Sequence, residues 1–144
     1  MKKKSHRFPV LLIHAAIALS FIGCVSKFDE TSHESFKDLK TFHLGFIDEF
    51  TEGEGKSWDA EAFSQQVQTG MEKFNTALAY EMSKKKPDPT RTKAFNILMD
   101  QFKSDSEFIK NKDALLKKYF SGQLRTQVEE NYDLALKGEL SRDQ

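Results

Sequence analysis

The chain has 144 residues, with 22 basic and 22 acidic side chains, one cysteine and no net charge at neutrality. A single cysteine excludes an intramolecular disulfide or a thiolate metal cluster, so stability has to come from packing. The charge balance disfavours a nucleic-acid partner, which needs a basic face, and the length suits one domain burying about 65% of its unfolded surface.

The first segment in chain order is an address. Lys2, Lys3, Lys4 and Arg7 form a basic head, Phe8 to Ile22 is almost wholly apolar, and Gly23-Cys24 closes the run. That order is the anatomy of a secretory signal peptide. The run is too short for a transmembrane anchor, which needs about 20 apolar residues, and it is interrupted by His14 and Pro9. Phe21-Ile22-Gly23-Cys24 resembles the lipobox of a bacterial lipoprotein precursor, although leucine is commonest where Phe21 stands. The resemblance covers only these first two dozen residues. It implies cleavage between Gly23 and Cys24, removal of residues 1–23, and acylation of Cys24 with several chains that attach it durably to a membrane. Val25, in place of aspartate, implies the outer membrane in an enterobacterial host. Loss of the four basic residues in 1–23 leaves 18 basic against 22 acidic side chains, a net charge of −4.

The remaining pattern predicts an all-α, four-helix bundle-like domain over 31–144 behind a lipidated tether, 24–30. Thr31 and Glu34 have capping-box spacing at the start of the first helix. Its inward stripe is Phe36, Leu39, His43, Phe46 and Phe50, and Gly53 and Gly55 stop it. Ser57 caps a second helix whose stripe is Phe63, Val67, Met71, Phe74, Leu78 and Met82, ended by Lys84 to Lys86 and Pro87. Asp88 caps a third, with Pro89 at its first position and Phe95, Leu98, Met99 and Phe102 on its face. A connector with room for a short helical turn around Phe108 and Ile109 is expected over Ser104–Asn111, then a fourth helix from Asp113 to Leu140. That helix carries a stripe at steps of four: Leu116, Phe120, Leu124, Val128, Tyr132 and Leu136. Strict four-residue spacing drifts around a helix, so this one should curve.

An internal repeat runs through the pattern. Phe63, Ser64, Gln66, Thr69 and Glu72 recur as Phe120, Ser121, Gln123, Thr126 and Glu129, at a constant offset of 57. After one inserted residue, Phe74, Ala77, Leu78 and Glu81 match Tyr132, Ala135, Leu136 and Glu139. A duplicated helical hairpin, 31–86 and 88–140, explains this and predicts pseudo-two-fold packing with short connections inside each hairpin.

For chemistry, His43 is the outstanding residue, because a seam imidazole can ligate haem or metal inside a bundle, with Met71 or Met99 as a haem partner. The blander reading is a histidine at the core edge bonded to a neighbour, with methionines that only fill space. His33 is expected in solvent. Asp48-Glu49 and Glu129-Glu130 are adjacent pairs that diverge on a helix, and Gly53 and Gly55 are flanked by glutamates that repel phosphate. No catalytic constellation emerges, and no enzyme, resident cofactor or metal site is expected. Eleven phenylalanines follow Cys24; they make either a packed core or an apolar ligand groove. The basic cluster Lys84, Lys85, Lys86, Arg91 and Lys93 is a solvated helix end or a site for an anionic partner or headgroup. These features together predict a lipid-anchored envelope protein, on the periplasmic face of the outer membrane in a Gram-negative cell. It would bind another envelope protein without catalysis, as immunity or exclusion lipoproteins and small chaperones do. The alternative is a carrier of haem, metal or an apolar ligand.

Overall fold

Aspartates open three of the four helices. In the computed structural model, which describes residues 26–143, α1 spans Glu30–Glu49, α2 Ala60–Ser83, α3 Pro89–Lys110 and α4 Lys118–Leu140, followed by a 3₁₀ turn, Ser141–Asp143. Residues 1–23 and Cys24 lie outside the described residues. Asp29, not Thr31, caps α1, its Oδ1 accepting the Ser32 N–H at 2.7 Å, while Glu34 pairs with Lys37 instead of completing a capping box. Asp59, not Ser57, caps α2 by accepting the Glu61 and Ala62 N–H groups, each at 2.9 Å. In both cases a carboxylate close to a hydroxyl takes the cap, as expected at the positive end of a helix dipole. Asp88 and Pro89 open α3 as their order requires.

The expected connector at Ser104–Asn111 is instead the last turns of α3. Its inward positions are Asp105, Ser106 and Ile109, so two polar residues hide the helical period. The turn then closes through Asp113, at a left-handed φ of 46°, and α4 starts five residues later than expected. Leu116 is buried without being helical: its N–H donates to Phe50 O and its carbonyl accepts Glu52 N–H, both at 2.8 Å. The Glu52 carboxylate accepts the Lys118 N–H at the uncapped start of α4. The buried face of α4 is Ser121, Val128, Tyr132, Ala135 and Glu139, not the strict four-step stripe, which removes the reason to expect curvature. Phe120, from that stripe, is 37% exposed, and Met82, from the α2 stripe, is 59% exposed.

Each helix packs on the next and α4 returns to α1, which closes an antiparallel four-helix bundle; the α1–α4 and α2–α3 contacts are the most extensive. The link from α2 to α3, residues 84–88, is the shortest of the three and joins the two expected hairpins instead of lying inside either. The repeat partners Phe74 and Tyr132, Ala77 and Ala135, and Glu81 and Glu139 are buried in both copies, whereas Phe63 is buried and Phe120 is not. No helix among the described residues is long and apolar enough to cross a membrane.

Phe102 is the hub of the core, its ring centroid 5.1 Å from those of His43 and Phe46, 5.8 Å from Phe74 and 5.9 Å from Phe42. Gly70 of α2 makes room for it. A Cβ there would lie 2.5 Å from Phe102 Cε1 and 2.7 Å from Phe42 Cε1, whereas a Cβ on Gly122 of α4 meets nothing within 4 Å. The expected outcome is opposite signs from one substitution. Gly122→Ala should raise stability by about 0.5–1 kcal/mol through helix propensity. Gly70→Ala should lower it by about 1–2 kcal/mol net, as overpacking outweighs that gain. Thermal unfolding of both variants beside the parent reads this directly; a rise for both would mean that Phe102 relaxes freely.

Candidate functional site

One end of the bundle is closed by charge. Glu81 ends α2, Arg91 opens α3 and Glu139 ends α4, and their side chains are 0%, 2% and 1% exposed. Arg91 grips Glu139 with a fork, Nε to Oε2 at 2.9 Å and Nη2 to Oε1 at 2.6 Å, and reaches both Glu81 oxygens with Nη1 at 3.4 Å. Glu81 also accepts the Asp88 N–H at 2.8 Å, the Lys84 ammonium at 2.5 Å and the Ser32 hydroxyl at 3.2 Å. Such a cluster survives burial only when most lone pairs and protons are matched, as they are here.

The network holds more than helix ends. Ser26 donates its hydroxyl to Asp88, which also pairs with Arg142; Arg142 Nη1 donates to Ser26 Oγ at 3.0 Å. Arg91 Nη2 donates to Lys27 O at 3.1 Å, and the Asp29 N–H donates to Glu139 Oε1 at 2.9 Å. Lys84 Nζ lies 3.1 Å from Asp29 Oδ2, and the Tyr80 hydroxyl donates to the same carboxylate. The expected tether, 24–30, is therefore no free linker over its described part: residues 26–29 are fastened to the bundle and Glu30 is helical.

Burial alone would raise the pKa of Asp29, Glu81 and Asp88, but their partners outweigh it. Asp29 is held down at about 2 by hydrogen bonds from Ser32 and Lys84, and by the Lys84 charge. Glu81 is lowered by Lys84, the Asp88 N–H and Arg91; Asp88 is lowered by Ser26, Arg142 and the Arg91 N–H. Burial would lower the Arg91 pKa, yet Glu139 and Glu81 raise it. Arg91 and Lys84, expected in a solvated helix end or a site for an anionic partner, both turn inward. The sequence did carry a signal, because Glu81 and Glu139 continue the buried steps Phe74–Ala77 and Tyr132–Ala135, with Arg91 one turn before Phe95.

His43 sits in the bundle interior, fully buried, not at its edge. Its Nε2 lies 3.1 Å from Asp105 Oδ2, and Phe102 and Tyr132 present edge-on rings at 5.1 and 6.0 Å. Neither imidazole nitrogen, Asp105 Oδ2 nor the Tyr132 hydroxyl has a well-aligned hydrogen bond. Burial, with the Asp105 charge, raises the Tyr132 pKa strongly. Asp105 comes from the stretch expected to be a connector, which is why the pair was not legible. Among the described residues no group of three or more histidine, cysteine, aspartate or glutamate side chains could hold a metal. His33 is half-buried beside Phe28, at 5.5 Å, not free in solvent.

At the opposite end, α2 and α3 border a half-open groove of about 460 Å³ with an apolar floor of Trp58, Phe63, Val67, Met71 and Phe102. Lys103, Glu107 and Lys110 stand at its rim, and the Trp58 indole N–H is buried without a partner. His43 does not line it. No family model, curated protein or solved structure matches this chain.

Two outcomes follow from the network. Arg91→Ala leaves Glu81 and Glu139 buried without their shared cation and should cost about 3–5 kcal/mol in chemical denaturation; a loss below about 1 kcal/mol would mean the cluster is solvated. The second concerns acid. Carboxyls whose folded pKa lies below the unfolded value stabilise the fold above the unfolded pKa, and that stabilisation is lost as pH falls through the folded pKa. With Asp29 moved from 3.8 to about 2, the melting temperature should hold above pH 4 and fall steeply from there to pH 2. An unchanged melting temperature across that range would contradict the network's role.

Proposed function

We propose that the chain is a bacterial lipoprotein whose helical bundle, anchored through acylated Cys24 after removal of residues 1–23, binds another envelope protein without catalysis. The observation that carries this reading is the fastening of Ser26 and Lys27 into the Arg91–Arg142 network. A chain clasped two residues after Cys24 suits a domain displayed in one orientation on a membrane, with local confinement raising its effective concentration for a partner. The α2–α3 groove runs along the half of these helices, roughly 35 Å long, that is farther from the end holding Ser26. Its apolar floor and mixed-charge rim suit the apolar side of an amphipathic helix on the partner.

Two measurements test the two halves separately. Mass spectrometry of the protein extracted from bacterial membranes should find Cys24 as the acylated first residue; an unmodified Cys24 sinks the anchor. Photo-crosslinkers placed at Ser64 and Lys103, on the groove, should then capture one discrete envelope protein, and Cys24→Ser should reduce that capture. Acylated protein that yields no crosslinked partner from either position refutes the binding module, and a small apolar molecule extracted with it would assign the groove to a ligand instead.

A further inference from the structure

The end of the bundle closed by the network presents an outer surface of a different character from its charged interior. Lys84 and Arg91 are consumed inside, but Lys85 and Lys86 are exposed, as is Lys27 in the chain's approach to α1, its carbonyl held by Arg91. Met82 and Leu140 are 59% and 52% exposed, and each immediately follows a network glutamate, Glu81 or Glu139. Since those glutamates converge on Arg91, Met82 and Leu140 flank the network at the same level of the bundle. The carboxylates nearby, Asp29, Glu81, Asp88 and Glu139, are already paired with Lys84, Arg91 and Arg142; the exposed acids that remain there among the described residues are Glu30, in α1's first turn, and Asp100, which lines a shallow depression with Met82 and Lys93 and pairs with Lys103.

We propose that this end is a membrane-contacting face for anionic phospholipid, with Lys27, Lys85 and Lys86 against headgroup phosphates and Met82 and Leu140 at the acyl boundary. Large apolar side chains beside flexible ammonium groups match the two chemistries of that interface. Chain geometry supplies the direction of approach: the two residues from Cys24 to Ser26 reach at most about 7 Å. Only that direction rests on the anchor reading; the face is built from side chains that stand without it. The opposite end also exposes an apolar residue near lysines, Tyr119 at 70%, and serves as the internal comparison.

The sole tryptophan, Trp58, allows a clean test in the full chain. In a Trp58→Phe background, Met82→Trp and Tyr119→Trp each report contact with brominated lipid after reconstitution into phosphatidylcholine vesicles with or without about 30% phosphatidylglycerol. Quenching is expected for Met82→Trp on the anionic vesicles and not for Tyr119→Trp. Adding Lys85→Glu and Lys86→Glu should abolish it. If mass spectrometry finds Cys24 unmodified, the anchor falls alone, and flotation of that protein decides the face. It should partition onto the anionic vesicles, and charge reversal should cut partitioning at least ~25-fold, from roughly five-fold per lysine. Quenching confined to Tyr119→Trp, no quenching at Met82→Trp, or quenching and flotation indifferent to charge reversal would each overturn the proposal.

Discussion

The arginine shared by two buried glutamates is the constraint on which this bundle depends. Arg91 joins the start of α3 to the ends of α2 and α4 and, through Lys27, to the chain entering α1. An apolar plug could close the same space at no loss of stability, since desolvating ions costs most of what their attraction returns. What the plug could not do is fix register. A forked guanidinium accepts only one placement of the two carboxylates, and a slip of one residue on α2 or α4 would turn Glu81 or Glu139 away and bury bare charge.

The opposite end is fastened by backbone. Leu116 pairs with Phe50 and Glu52 through two main-chain hydrogen bonds, and the Glu52 carboxylate supplies the cap that α4 lacks. Between the two ends lies an aromatic core ordered around Phe102, and it contains one polar seam, His43, Asp105 and Tyr132, drawn from three helices. Unaligned polar groups at that depth lower stability, so the seam is the place where packing around the phenylalanines has been given priority over hydrogen-bond geometry.

The elements that could be read from sequence are those in which local signals agreed. Asp88 followed by Pro89 fixed the start of α3, and the three-and-four spacing of Phe36, Leu39, His43 and Phe46 fixed the face of α1. Errors arose where a residue's type reflected a distant partner. Asp105 and Ser106 are inward yet polar, so the end of α3 looked like a loop. Leu116 is apolar because it plugs the bundle end, not because it lies on a helix, and so α4 seemed to begin early. Thr31 and Ser57 lost the caps to Asp29 and Asp59, each two residues away; Asp29 is additionally held by Lys84 and Tyr80, from a helix that local spacing does not show. The ion network escaped for the same reason, because its members are separated by 48 residues in the case of Arg91 and Glu139.

The attachment of residues 26–29 changes what an anchor at Cys24 would do. A free linker transmits no orientation, because each of its residues samples many backbone states. Here Ser26, Lys27 and Asp29 are bonded to Asp88, Arg91, Arg142 and Glu139, which themselves hold the helix ends. Swivelling the bundle about Ser26 would break the same hydrogen bonds that neutralise its buried charges. Orientation and stability are therefore coupled in the network. Acid would release both together, since protonating Asp29, Glu81 or Asp88 removes the charge that holds the incoming chain and the charge that closes the bundle end.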